Sequence, residues 1–219
     1  MPKVYIIAGP PGVGKSTSGG STIPAGINIL DPDQIANRYK TQGFADYKDI
    51  GNLKFNDILR KELISGADFA IELNLGFENH YDLVKSVKNF NTDNSIEVIL
   101  FYTDDIELCY KRAELRHLAG LHYVGPDVIK EMYENTIPLL HHHFNLISSL
   151  TVLDVKENNL PEICLQFNRL NKELLTSNDL PSWAETSIRD FIRKQFSHGQ
   201  SLKADQVKKS KRMKNRPKF

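Results

Sequence analysis

The chain has 219 residues, 40% of them apolar, and a formal net charge of +1. That length gives one full core with an appendage and leaves little room for two large domains. No apolar stretch approaches the roughly 20 residues a membrane span needs, and two cysteines far apart in sequence, Cys109 and Cys164, exclude a disulfide framework or a thiolate metal site.

The first element is an apolar strand over residues 4–8. It runs directly into Gly9-Pro10-Pro11-Gly12-Val13-Gly14-Lys15-Ser16-Thr17, which fills every position of the pattern GxxxxGK followed by Ser or Thr. The glycines let the backbone curl until successive N–H groups face one anion, and the helix that follows adds its positive end. Residues Gly9 to Thr17 are therefore expected to cradle ATP or GTP, with Lys15 on the β- and γ-phosphates and Ser16 on Mg²⁺. The helix after the loop should be short, because Gly19 and Gly20 each cost about 1 kcal/mol against alanine.

A strand over 27–30 leads to Asp31-Pro32-Asp33 and a helix over 32–40. Ligands of open parallel sheets bind at such strand ends, so a carboxylate here suits the general base of phosphoryl transfer. Asp33 is the expected base, with Asp31 as a helix cap; capping alone would also explain the pair. After a helix over 53–65, a strand over 69–73 carries Glu72 inside an apolar run, costly unless the carboxylate meets a ligand or a partner. Glu72 is expected to bind substrate hydroxyls or to hold Mg²⁺ through water, joined by Asn74 on the same face; at a sheet edge it would simply be solvated.

A helix over 80–89 and a strand over 98–102 follow. On the next helix, over 105–119, Arg112 and Arg116 stand one turn apart, suited to the charge that a loose phosphoryl transition state spreads over its peripheral oxygens. A surface ion-pair set with Glu114 is the plainer alternative. Residues 118–125 contain glycines able to hinge a lid. A helix over 127–147 carries His141, His142 and His143, whose consecutive spacing puts them about 100° apart and speaks against a helical metal chelate. A last strand over 152–155 precedes a segment, 160–198, that reads as helical and is anchored by Trp183, Phe191 and Phe196.

Strands alternating with helices predict an α/β fold: a P-loop NTPase three-layer sandwich with a mostly parallel sheet of about five strands, plus a C-terminal helical appendage. The expected division is a P-loop kinase-like domain over 1–155, the appendage over 156–200 and a basic tail over 201–219. Residues 203–219 hold eight basic residues and one acid, +7 net, against −6 for residues 1–202. So polar a tail is expected to be disordered, either without a specific partner or in contact with nucleic acid or an acidic protein surface.

With these residues in place, the chain resembles the zeta-toxin-like P-loop kinases, especially their short bacterial ATPase-like members, over roughly residues 1–155. The family's opening AGPxGxGKT is similar to Ala8 through Ser16. Its Asn-Ala-Asp before a helix is similar to Asp31-Pro32-Asp33, with Asp33 on the catalytic aspartate, and its Glu-Thr-Thr corresponds to Glu72-Leu73-Asn74, where only the glutamate is kept. The family's lid pattern ERVxxRVxxGGHxVPxxVIRRRY aligns with residues 111–133. Arg112, Arg116, Gly120, His122, Val124, Val128, Ile129 and Tyr133 match, while Lys130-Glu131-Met132 replace the arginine cluster.

The resemblance implies an ATP- and Mg²⁺-dependent cytoplasmic kinase acting on a small-molecule hydroxyl, a nucleotide sugar by analogy. It implies catalytic roles for Lys15, Asp33, Arg112 and Arg116, substrate contacts from Asp33, Glu72, Asn74, His122 and Lys130, and an antitoxin protein as partner. Two other readings stay open. Glu131 and Met132 in place of arginine favour a nucleotide-binding regulatory module with little transfer, and the basic tail favours a polynucleotide 5′-hydroxyl kinase.

Overall fold

Residues Val4 to Ala8 form an unbroken apolar run because both of their faces are covered: β1 (Lys3–Ala8) lies inside the sheet and buries all five. The computed structural model describes residues 1–120 and 123–196, and the backbone alone of residues 203–206. The other strands are β2 (Asn28–Leu30), β3 (Phe69–Glu72), β4 (Ser95–Tyr102), β5 (Ser149–Asp154), β6 (Glu162–Asn168), β7 (Glu173–Thr176) and β8 (Lys203–Gln206). Among the described residues they form one sheet in the order β2-β3-β1-β4-β5-β6-β7-β8. The five strands from β2 to β5 are parallel, as the alternation of strand and helix requires.

Two hydrophobic clusters cover the faces. One joins Val4, Ile6 and Ala8 to Phe55 and Leu59 of α3 (Tyr47–Ser65), to Tyr81, Val84 and Val87 of α4 (Glu78–Phe90), and to Leu140 of α6 (Pro126–His142). The other joins Tyr5 and Ile7 to Val13 and to Leu108, Cys109 and Ala113 of α5 (Ile106–Leu118). Both cysteines are buried within these clusters as small apolar residues. Burial pushes their thiols up, to about 11 for Cys109 and about 12 for Cys164.

The helix after the phosphate loop, α1, covers only Lys15–Ser18 before a 3₁₀ turn, Gly19–Thr22, as its glycines predict. A Cβ on Gly19 would lie 2.8 Å from Ile7 Cγ2, so close packing on β1 requires glycine there. α2 (Pro32–Thr41) is capped by Asp31, which accepts from the Gln34 amide at 2.9 Å, and α5 by Asp105, which accepts from Glu107 at 3.0 Å.

The structure corrects the expectation for residues 160–198. The stretch 160–176 is a pair of antiparallel strands that extends the sheet beyond β5, so the sheet has eight strands rather than five. In β6, Leu165 and Phe167 are buried with Gln166 between them, a period of two rather than 3.6. The link to β7 is closed by Asn168 Oδ1, which accepts from Asn171 N at 3.0 Å, and by Lys172 at φ 51°. Helix begins only at α7 (Ser182–Ala184), passes through a π turn (Glu185–Arg189), and ends in α8 (Asp190–Phe196).

Lys203–Gln206 pairs in parallel with β7, so the expected tail loses those four residues to the sheet edge, where the outer side of β7 offers unpaired backbone groups. The remainder of the tail lies outside the described residues. The helix expected over 127–147 ends at His142, and Phe144–Leu146 is a 3₁₀ turn.

Candidate functional site

β1 lies between β3 and β4, so the chain diverges to either side of its carboxyl end, the position where open α/β sheets form a ligand crevice. The loop leaving that end makes two close backbone contacts. A Cβ on Gly9 would lie 2.1 Å from the Phe101 carbonyl oxygen, and one on Gly12 2.3 Å from that of Cys109; both residues have positive φ, 135° and 81°. These glycines seat the loop between β4 and α5 and are demanded twice over, by space and by conformation.

Lys15 is 6% exposed, and its ammonium donates to the carbonyls of Gly9 at 2.8 Å and Pro10 at 3.1 Å and to Asn74 Oδ1 at 2.8 Å. Burial lowers its pKa from the usual lysine range, opposed by the charges of Glu72 and Asp33. Ser16 Oγ donates to Glu72 Oε1 at 2.7 Å. Burial raises the pKa of Glu72, while Lys15 and the Ser16 hydroxyl pull it back. The end of β3 thus meets the loop twice, through Glu72 and, two residues on, through Asn74. Leu75 follows at φ 53°, a left-handed conformation rare for leucine, and Gly76 packs against Met132 of α6, where a Cβ would fall 2.6 Å from Met132 Cα.

Two cavities flank the loop. One, of about 560 Å³, is lined by residues 12–14 and 16–18, Arg112, Leu115 and Arg116, and Asn159, Leu160 and Pro161. The other, of about 250 Å³, is lined by Pro11, Lys15 and Ser16, by Asp31, Asp33, Gln34 and Asn37, by Glu72 and Asn74, and by Arg116 and Val124. Arg116 borders both. Arg112 borders only the first, where Nη1 donates to the Val13 carbonyl at 3.0 Å and Nη2 to those of Lys156 and Glu157 at 3.4 and 3.3 Å.

The expected site residues therefore gather, with two exceptions. Lys15, Ser16, Asp33, Glu72, Asn74 and Arg116 share one cavity, and Asp33 is exposed within it while Asp31 is spent on its cap. Lys130 borders neither cavity and lies 3.9 Å from Glu134 one turn along α6. His122 lies outside the described residues.

Gln34, Asn37 and His80 were not singled out from the sequence. Asn37 falls four residues after Asp33, on the same helical face. His80 Nδ1 accepts from the Phe77 N–H at 3.3 Å, and its burial lowers its pKa against the opposing charge of Asp33. The histidine triplet is partly exposed: His142 is exposed and His141 half-buried, while His143 is buried. His143 is bonded to Glu78, and His141 stacks on Phe191 with its Nε2 2.6 Å from the Ser187 carbonyl.

A curled glycine loop between a central parallel strand and a helix, with its lysine bonded to Asn74 and its serine to Glu72 at the end of the neighbouring strand β3, defines a P-loop nucleotide-binding architecture. The chain shares its fold with solved structures to which its sequence is only 13–17% identical. It is similar to the AvrRxo1-ORF1:AvrRxo1-ORF2 complex with sulphate ions, at a TM-score of 0.60 and 13% identity over 77% of this chain and 59% of that one. The same complex with ATP gives a TM-score of 0.56, again at 13% identity over 77% and 59%. The PezAT chromosomal toxin-antitoxin system of Streptococcus pneumoniae gives 0.53, at 17% identity over 74% of this chain and 69% of that one. The chain thus spans 59% of the length of the first of these, and at such identities the likeness is one of fold. No family model matches the sequence, and no curated protein matches it. No helix among the described residues is long and apolar enough to cross a membrane.

Proposed function

We propose that the chain is an ATP- and Mg²⁺-dependent phosphotransferase that moves the γ-phosphoryl group to a hydroxyl of a small molecule. The observation that carries this reading is the position of Arg116, which borders both the cavity at the loop and α1 and the cavity holding Asp33 and Glu72. The larger cavity takes the nucleotide, where Leu115 and Leu160 offer exposed apolar surface to a base. The smaller takes the acceptor. The complex of similar fold crystallised with ATP supports a nucleotide in the loop.

Lys15 exchanges its bonds to Gly9 and Pro10 for bonds to phosphate oxygens, which cost it less than a buried charge held by neutral carbonyls. Ser16 and Glu72 are hard oxygen donors within hydrogen-bond distance of each other and fit Mg²⁺, held directly or through water. When bound, that ion supplies charge neutralisation at the β- and γ-phosphate oxygens. Asp33 accepts the proton of the acceptor hydroxyl as its oxygen attacks the γ-phosphorus; the bond from that phosphorus to the bridging oxygen breaks and ADP leaves. Arg116 stabilises the peripheral oxygens of the migrating group, and Arg112 braces the loop while adding positive charge to the nucleotide cavity.

A nucleotide sugar is the acceptor class suggested by the zeta-toxin resemblance, with Glu72, Asn74, Gln34 and Asn37 as hydroxyl partners. The fold shared with a toxin-antitoxin system supports an antitoxin-like protein as partner, and a cytoplasmic location goes with the reading of the chain as an ATP-consuming kinase. A regulatory nucleotide-binding module is the second reading. It is favoured by α6, which turns Lys130 to Glu134 and buries Met132 on Gly76, so that it brings no cation to the acceptor cavity.

Radiolabelled ATP offered with pooled metabolites and with RNA 5′-hydroxyl ends separates the possibilities. Label on small molecules supports the kinase, salt-sensitive label on RNA makes it a polynucleotide kinase, and binding without transfer supports the regulatory module.

A further inference from the structure

Away from the nucleotide and acceptor cavities, three metal-ligating side chains meet where the start of α4 touches the end of α6. Glu78 Oε2 lies 2.6 Å from His143 Nε2. One ligand atom each from Glu78, His142 and His143 can be chosen so that all three lie within 4.8 Å of one another. Consecutive histidines inside a helix diverge by about 100°. Here the helix has ended: His143 is the C-cap residue at φ −101° and ψ 14°, and its ring lies edge-on to that of His142, at 83° with centroids 4.6 Å apart. Tyr81 stacks on His143 at 4.3 Å and fixes the ring, as supporting residues do for histidine ligands.

We propose that Glu78, His142 and His143 bind a borderline transition-metal cation, Zn²⁺ above all. Two imidazoles and one carboxylate suit zinc and are poor company for Ca²⁺ or Mg²⁺, which take oxygen ligands, and three protein ligands leave a fourth position for water. Tetrahedral zinc with bonds of about 2.0–2.1 Å holds its ligands about 3.3 Å apart. The 2.6 Å contact need therefore open only slightly, and the Glu78 side chain, 57% exposed, is free to do so while His143 stays packed. The Glu78–His143 hydrogen bond alone accounts for two of the three side chains and gives His142 no task.

The cation would staple α4 to α6. Glu78 follows the segment in which Asn74 holds Lys15 and Gly76 packs on Met132, so metal occupancy also fixes the loop beside the acceptor cavity. The site does not depend on phosphoryl transfer, and its test involves no activity.

Untagged, chelator-treated full-length protein titrated with Co²⁺ should develop the visible absorption of a low-symmetry cobalt site at one equivalent, bleached by one equivalent of Zn²⁺, with a zinc-dependent rise in melting temperature. Glu78→Gln and His142→Ala change exposed residues and should each weaken binding about tenfold or more. His117→Ala, which removes an exposed histidine of α5, should leave it unchanged. Absence of the cobalt spectrum in the parent protein, or binding that both site variants retain in full, would overturn the assignment and leave a hydrogen bond only.

Discussion

Arg112 donates from Nη1 to the carbonyl oxygen of Val13 at 3.0 Å, tying α5 to the crest of the phosphate loop. Its other nitrogen reaches the Lys156 and Glu157 carbonyls, so one guanidinium joins the loop to the segment after β5. Among the described residues no hydrogen bond holds Arg116, one turn further on, which borders both cavities.

The two arginines should therefore separate by assay. Arg112→Ala should cost about 1–3 kcal/mol of stability, the range for a charged donor lost from carbonyls. Arg116→Ala should leave stability within about 0.5 kcal/mol and lower kcat on the order of a thousandfold. Chemical denaturation and single-turnover phosphoryl transfer, run on both variants, check this division.

Gly12→Ala tests the seating of the loop. Its Cβ would fall 2.3 Å from the Cys109 carbonyl oxygen, at a φ of 81°, and the obstacle is backbone that cannot swing aside. The expected loss is about 1–3 kcal/mol or more, together with loss of ATP binding. A variant with unchanged melting temperature and ATP affinity would show that the loop does not sit as described.

Much of this was legible in the sequence because the signals were local. The phosphate loop is contiguous, the glycines after Lys15 forecast a short α1, and Glu72 stood out as a carboxylate in an apolar strand. The pairing of Glu72 with Ser16 and of Asn74 with Lys15 was not legible as contacts, since each joins residues more than 50 positions apart.

Residues 160–176 differ from expectation because apolar spacing in so short a stretch fits a helix as well as a strand. The turn Asn168-Arg169-Leu170-Asn171-Lys172 is the local signal that favours a pair of strands. Helical spacing is all that the sequence offers about the histidine triplet. Its position at a helix end, and the approach of Glu78 from another helix, belong to tertiary structure.

Glu72→Gln bears on the pH dependence of stability. Burial raises the folded-state pKa of Glu72 above its unfolded value, so the folded chain holds this proton more tightly than the unfolded one. The resulting stability is fully present below the unfolded pKa and is lost as pH rises through the raised value. Glu72→Gln should remove that slope, making the nucleotide-free protein more stable near neutrality, and should weaken Mg²⁺-dependent ATP binding. Denaturation across the acid range, with and without Mg²⁺ and ATP, reads both effects.

Asp33→Asn separates binding from chemistry. Asp33 lies exposed in the acceptor cavity, outside the nucleotide cavity, so ATP affinity should be nearly intact while transfer falls by roughly 10²–10⁴ for loss of a general base. Transfer at the parent rate would move the base to another residue, and His80, whose pKa is shifted toward the neutral ring, would be the next to test.

The central claim is that main-chain amides of the loop, aided by the Lys15 ammonium, clasp a polyphosphate. Isothermal titration of Mg²⁺ and ATP into the parent protein and into Lys15→Ala tests it most directly. The expected result is one nucleotide per chain with magnesium-linked heat in the parent and no measurable binding in the variant. Silence in the parent, or equal affinity in both, would contradict it.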